Sequence, residues 1–333
     1  MTTDKIKNIA VIGAGISGLS TAFVLVNEGY RVTVLAKAFS PNTTSNKAAA
    51  FWFPYHVRGD ERAITWVEKS YQFYKQLTND NNAGISFIKI VKGIKTGVTD
   101  DDSWIKFMPP NTCRELSAIE LPIGYSKGFE AEVPLIETQL FLPYLQQQLQ
   151  AKGVTFIEQE ITDLSSVAKN YDVVVNCSAL GARTLCNDTA IFPVRGQVLL
   201  LEPGFPDSIF LDNQTPTYIV PRKDATIIGG TYEEHISNET TEPERLKTLL
   251  KKASNIFGEL KNRKTIGSWA GIRPFRDEER LGIEPNTNII HNYGHGGSGF
   301  TLAFGCAEAV KDLLAQIPEV TKQTRAMTFK FVK

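Results

Sequence analysis

The sequence predicts an α/β plus α+β chain: a parallel, helix-flanked sheet assembled from discontinuous segments, with an antiparallel sheet inserted between them. Three observations predict it. A strand, a glycine turn, a helix and a second strand follow one another within about thirty residues at the start. Short strand-like runs separated by turns crowd residues 194–233. Pieces suited to the parallel sheet recur in the middle and at the end of the chain.

Taken in order, Ile6–Ile12 is apolar and β-branched and reads as a buried parallel strand. Ser17–Asn27 reads as a helix stopped by Gly29, and Arg31–Leu35 as the next strand. Pro41–Ser45 is a turn cluster, and Ile64–Thr78 a helix carrying Trp66, Tyr71 and Phe73. Ile85–Thr99 reads as strand, turn at Gly93, strand, and Asp100–Asp102 as a solvated acidic loop. Ile136–Lys152 is a helix ending at Gly153; Val154–Glu158 and Tyr171–Cys177 are strands. Gln197–Leu201, Thr217–Pro221 and Thr226–Gly230 form the antiparallel set. Pro243–Phe257 is helical, Thr265–Arg273 and Ile289–His291 are strands, and Gly299–Ala315 is the last helix. The division expected is residues 1–75, 140–190 and 265–333 for the parallel body, and 76–139 and 191–264 for the inserted one.

Composition removes several functions. Lys plus Arg and Asp plus Glu each number 36, so the formal net charge is zero, which speaks against nucleic acid and a polybasic membrane patch. Cys113, Cys177, Cys186 and Cys306 form no CxxC, and the four histidines no zinc pattern, so neither a disulfide framework nor a metal is expected. Asn8–Asn27 is free of charge, yet Gly13, Gly15, Ser17, Gly18 and Ser20 suit a strand, turn and helix better than a signal peptide or a membrane span. The final residues, Thr328 to Lys333, are not an SKL-type peroxisomal address, and a cytoplasmic location is expected. A homo-oligomer stays open.

Gly13-Ala14-Gly15-Ile16-Ser17-Gly18 is G-x-G-x-x-G directly after a strand and opening a helix, the Rossmann-like arrangement for a dinucleotide. Gly13 permits the turn, Gly15 lets a pyrophosphate approach the backbone, and Gly18 lets helix and strand pack closely. The helix N-terminus attracts phosphate charge. The acidic residue that usually ends the second strand is missing; Ala36 and Lys37 stand there. The loop alone therefore leaves FAD and NAD open. His295-Gly296-Gly297-Ser298 resembles the oxyanion loop of serine hydrolases, but no G-x-S-x-G nucleophile elbow accompanies it.

The remaining motifs decide the cofactor by resemblance. Residues 41–55, from Pro41 to Tyr55, resemble the flavin-contacting segment of D-amino-acid and D-aspartate oxidases. Val175–Ser178, Phe192–Gln197, Tyr218–Pro221, Gly271–Pro274 and His291–Gly299 are similar to segments of the same family, in the same order, over about Ile6 to Val310. The resemblance implies an FAD-dependent oxidase of D-amino acids. In that family hydride passes from Cα to flavin N5, water hydrolyses the imine, and dioxygen reoxidises the flavin to hydrogen peroxide. The product is a 2-oxo acid with ammonia. The parallel body would then bind FAD and the inserted one the substrate.

It also implies site residues. Arg273 is expected to hold the substrate carboxylate through two parallel hydrogen bonds; without the family, an ordinary strand-end salt bridge is the simpler reading. Tyr218 would add its hydroxyl, and the Gly297 carbonyl would take the amine. For FAD the candidates are the loop Gly13–Gly18 together with Lys37, Thr43, Thr44, Ser45, Ala50, Phe51, Ile161 and Ser178. Gly294, Gly296, Gly297, Ser298, Gly299, Phe300 and Thr301 open the last helix, whose dipole would favour negative charge on the flavin. Gln214, Phe53, Tyr55, His56 and Ser298 are the candidate pocket residues. Gln214 falls where vertebrate members carry a second tyrosine on a lid, and the loop Leu211–Pro216 reads as shorter than that lid. Leu211 and Tyr232 occupy the places of the arginines of mammalian D-aspartate oxidases, so neutral or apolar D-amino acids are expected. The alternatives are a D-aspartate oxidase, a glycine/sarcosine-type amine oxidase, and, from another class, an NAD-dependent dehydrogenase.

Overall fold

The computed structural model describes residues 7–99, 103–212 and 214–317. Ile6, the acidic stretch Asp100–Asp102, Asn213 of the short loop and the C-terminal residues from Thr328 lie outside the described residues. In chain order the elements are β1 (Asn8–Ile12), α1 (Ile16–Asn27), β2 (Arg31–Ala36), α2 (Glu61–Leu77), β3 (Ile85–Lys95), β4 (Cys113–Ser117) and β5 (Tyr125–Ile136). There follow α3 (Thr138–Ala151), β6 (Thr155–Glu158), α4 (Leu164–Ala168), β7 (Val173–Asn176), α5 (Ala182–Leu185), β8 (Phe192–Leu201), β9 (Ile209–Asp212) and β10 (Thr217–Pro221). The chain continues with β11 (Thr226–Gly229), β12 (Glu233–Glu234), α6 (Pro243–Ile256), β13 (Thr265–Ile283), β14 (Ile289–His295) and α7 (Gly299–Leu314).

The strands form one hydrogen-bonded path, β4-β5-β3-β9-β10-β11-β8-β13-β14-β7-β1-β2-β6, with β12 paired to β8. From β14 to β6 every pairing is parallel. The remaining pairs are antiparallel except β3 with β9. The fold is thus the expected mixture of a parallel α/β sheet and an antiparallel one. A parallel sheet is covered on both faces, which is why β1 and β7 read as unbroken apolar runs and are buried throughout all or most of their length.

α1 and α7 pack on the parallel strands, and α2 packs on α7. The Ser20 hydroxyl of α1 donates to the Ala303 carbonyl of α7 at 3.1 Å. Gly305 lies so close to α2 that a Cβ there would overlap the Trp66 backbone. On the antiparallel part, α6 buries Leu249 and Ala253 against Leu199, Leu201, Phe210, Ile219 and Ile228. Among the described residues no helix is long and apolar enough to cross a membrane.

Two expectations are corrected. Gly93 is not a turn: β3 runs straight through it. Gly93 pairs with Gly128 of β5, and a Cβ would meet the rings of Phe210 and Tyr125 at 2.7 Å, so this glycine serves close packing. β13 does not stop at Arg273 but continues to Ile283. Its second half, rich in charge from Arg276 to Arg280, hides the strand pattern, and its register with β14 shifts between Phe275 and Arg280. β4, β5 and β9 are the strands not anticipated: three of the five residues of β4 and parts of β5 are exposed and polar, and β9 is a buried run of only four residues.

Candidate active site

The glycine loop fits a closely approaching dinucleotide. Gly13 has φ +105°, and a Cβ on it would meet the Cys177 carbonyl oxygen at 2.6 Å. A Cβ on Gly18 would overlap the Gly13 carbonyl. Gly15 caps α1 with no side chain of its own, and the first turn holds no acidic residue. The Ser45 hydroxyl accepts the Ile16 N–H at 2.9 Å and so already sits where an anion would bond. Thr43 holds that turn by donating to Asn46 Oδ1 at 2.7 Å. Lys37 and Thr44 are exposed beside it, and Ile161 packs on the apolar cluster of Leu35, Leu164 and Val174.

A second helix start faces the first. At the head of α7, Ser298 makes no side-chain bond to the N–H groups of the helix it caps, and the first turn again lacks an acid. A Cβ on Gly299 would touch Ile16 Cγ2 at 3.5 Å, so the N-termini of α1 and α7 adjoin. Their partial positive charges add, which suits an electron-rich group between them. Gly294 and Gly296 have φ +88° and +52°, the bend that brings β14 into α7. Phe300 is fixed through its carbonyl, which accepts the Tyr74 hydroxyl at 2.9 Å. Thr301 donates to the Phe53 carbonyl at 2.8 Å and accepts its N–H at 3.2 Å, tying α7 to the segment Ala50–Tyr55.

Three buried polar atoms in this region have no partner among the described residues: Ser178 Oγ, Asn292 Oδ1 and His295 Nε2. An unsatisfied buried polar group is costly, and such groups gather where a ligand completes them. Together with the glycine contacts and the paired helix starts, they fit a bound dinucleotide. Ala50 is held at φ +52° as its carbonyl accepts the Ile136 N–H at 2.9 Å, while Trp52 N–H reaches the Pro134 carbonyl at 2.8 Å. That left-handed backbone costs an alanine about 1 kcal/mol and turns Phe51 toward Tyr218, at 6.4 Å between ring centroids.

Arg273 lies on β13 next to this region. It makes no ion pair among the described residues, and its Nη1 donates to the Thr231 carbonyl at 3.1 Å. The strand-end salt bridge is therefore not its role. Its surroundings are tyrosines: the Tyr218 hydroxyl lies against Gly230, the residue before the Thr231 that Arg273 bonds, and Tyr55, Tyr218 and Tyr232 all feel its charge. Burial pushes the Tyr218 hydroxyl up, the Arg273 guanidinium pulls it partway back, and the net is upward, so it stays protonated. Gly297 adjoins Tyr55 and Arg273: a Cβ there would meet the Tyr55 ring at 3.2 Å and Arg273 Cδ at 3.6 Å.

The other pocket candidates divide. Phe53 sits 6.3 Å from Phe51 and 5.2 Å from Trp104, forming an aromatic wall. Tyr55 is 39% exposed, with His56 edge-on to it at 4.2 Å and Tyr232 6.3 Å from His56, so these rings form the rim. Ser298 donates to the Tyr55 carbonyl. Gln214 Oε1 accepts the Lys95 N–H at 3.0 Å, and its buried Nε2 has no partner among the described residues.

Two structural necessities were missed. A Cβ on Gly196 would overlap the Arg273 guanidinium, and one on Gly229 the Tyr218 ring. Both are glycines inside strands, the one signal that could have found them. Arg195 was quoted as part of a motif but not given a role; it is buried, with Glu233, Glu242, Asn238 and the Thr240 carbonyl around it. It anchors the segment that begins at Thr231.

The family described as DAO, FAD dependent oxidoreductase, matches residues 8–313. The chain is 35% identical over 311 residues to the D-amino-acid oxidase of Rubrobacter xylanophilus, covering 91% of this chain and 94% of that protein. It is 34% identical over 324 residues to the D-amino-acid oxidase of Dictyostelium discoideum, covering 94% and 93%. The crystal structure of glycine oxidase from Bacillus cereus superposes with a TM-score of 0.80 at 18% identity, covering 94% of this chain and 98% of that one, a likeness of fold.

Proposed function

The chain belongs to the DAO family of FAD-dependent oxidoreductases, and we propose that it oxidatively deaminates D-amino acids, with neutral or apolar side chains preferred. Dioxygen is the proposed acceptor; the products are a 2-oxo acid, ammonia and hydrogen peroxide. The observation that carries this reading is an arginine with no carboxylate partner among the described residues, near the Tyr218 ring and against the Gly297 turn, next to the adjoining starts of α1 and α7.

FAD, when bound, supplies the hydride acceptor. The residues proposed to hold it are the loop Gly13–Gly18, Lys37, Thr43–Ser45, Ala50, Phe51, Ile161, Ser178 and the α7 start from Gly294 to Thr301. Arg273 clamps the substrate carboxylate by two parallel bonds, and the protonated Tyr218 hydroxyl donates a third. The Gly297 carbonyl accepts from the amine. Held at both ends, the substrate presents Cα in one orientation, which is where most of the rate gain arises in a reaction needing no side-chain base.

Phe51, Phe53 and Trp104 supply apolar walls. Leu211 is buried on β9 and Tyr232 stands at the rim; neither offers a cation to a side-chain carboxylate. Four free thiols support a reducing compartment such as the cytoplasm. The test is a peroxide assay over D- and L-amino acids with anaerobic flavin spectra. D-alanine and D-phenylalanine should bleach the flavin well ahead of their L-forms, glycine, sarcosine and D-aspartate. D-aspartate in the lead would overturn the substrate preference, and L-amino acids in the lead the stereochemistry.

A further inference from the structure

One carboxylate fixes the turn between β9 and β10. The side chain of Asp212, at the end of β9, is fully buried. It gathers donors from three elements. Lys95 Nζ, at the end of β3, lies at 2.8 Å, and the Tyr125 hydroxyl of β5 donates at 2.9 Å. The backbone N–H groups of Gln214 and Thr215 donate at 3.0 and 3.2 Å, and the Thr215 hydroxyl donates as well. Gln214 returns the contact by accepting the Lys95 N–H, and Lys95 Nζ also reaches Thr215 Oγ1 at 3.1 Å. A buried charge is tolerated only with such complete pairing, and every bond here ties the turn to the sheet beneath it.

The turn leads straight into the substrate site. Asp212 pairs with Thr217 across the hairpin, and Leu211 pairs with Tyr218. On its other side Tyr218 pairs with Gly229, over which its ring lies. Tyr218 is thus held between the anchored end of β9 and a glycine slot, its hydroxyl against Gly230, next to the Thr231 whose carbonyl accepts Arg273 Nη1.

Resting on the reading of Tyr218 as a ligand of the substrate carboxylate, we infer that Asp212 is a positioning residue: by holding Gln214 and Thr215 to the end of β9 it presets the Tyr218 hydroxyl beside Arg273. The ordering cost of the hairpin is met on folding rather than on binding, which favours affinity.

The test uses the full-length, FAD-loaded protein and two readouts: steady-state kinetics with D-alanine, and binding of propionate, a carboxylate lacking the amine, followed by flavin absorbance. Asp212→Asn turns an acceptor into a donor facing Lys95. It should raise the propionate Kd and the D-alanine KM about three- to fivefold while kcat changes by less than about twofold. In a Tyr218→Phe background the same change should add nothing, because both act through one hydroxyl. Unchanged Kd and KM in Asp212→Asn, or effects that add in full to those of Tyr218→Phe, would overturn the inference. A Tyr218→Phe variant that itself binds propionate normally would instead remove the reading on which it rests. If Asp212→Asn does not load FAD, Thr215→Val and Lys95→Met loosen the same turn, and the same non-additivity with Tyr218→Phe decides.

Discussion

The guanidinium of Arg273 lies across Gly196 of the neighbouring strand β8, in space that any side chain at residue 196 would fill. The strand pair β8–β13 is continuous here, Gly271 opposite Gly196 and Arg273 opposite Val194, so the backbone cannot yield. Gly196→Ala should therefore displace the guanidinium while leaving the fold intact. We expect kcat/KM for D-alanine to fall at least about tenfold, since small misplacements of a clamp cost heavily. Thermal unfolding and the kinetics, measured together, check this; normal kinetics would show that Arg273 can bind substrate from another position.

Removing the clamp itself should cost more. Arg273→Leu deletes the charge-assisted bonds proposed for the carboxylate. The expected loss is about 3 kcal/mol, roughly two orders of magnitude in kcat/KM. Both the propionate Kd and the anaerobic rate of flavin bleaching should worsen. Unaltered kcat/KM would take Arg273 out of the site. Tyr218→Phe removes one hydrogen bond and should cost on the order of 1 kcal/mol.

How much of this was legible in the sequence depends on whether a residue acts locally. The loop Gly13–Gly18 was readable because turn, phosphate approach and helix packing all lie within six consecutive residues. Gly196 and Gly229 were not, because what each makes room for, Arg273 and Tyr218, is remote or across a strand pairing. Gln214 was nominated by counting back from Tyr218. Its Oε1 accepts the N–H of Lys95 at the end of β3, and no local pattern could announce that partner. Arg273 shows the reverse case: its residue type and strand allowed a salt bridge, and only the surroundings exclude one.

The cofactor loop offers a prediction that does not depend on substrate. In Gly18→Ala the new Cβ would overlap the Gly13 carbonyl, forcing the loop away from the helix start. The purified variant should lose most of its flavin absorbance relative to protein while the far-ultraviolet dichroism stays near normal. A fully yellow Gly18→Ala protein would count against FAD lying on this loop.

The last prediction concerns acid. His295, at the end of β14, is buried with Nε2 unpartnered, and burial holds its imidazole down to about 4 from an ordinary 6.5. Because the folded pKa is depressed, the unfolded chain binds more protons between these two values. Stability contributed by neutral His295 is therefore complete above about pH 6.5 and is lost as the pH falls toward 4. The size is up to about 3 kcal/mol. His295→Asn cannot titrate, so its stability relative to the parent should improve as the pH is lowered from 7 to 4, whatever its starting value. Denaturant unfolding of both proteins at several pH values, stripped of flavin so that Nε2 stays unpartnered, measures this difference. Parallel curves would mean that the imidazole is reached by water and gains its proton as readily in the folded protein as in the unfolded chain.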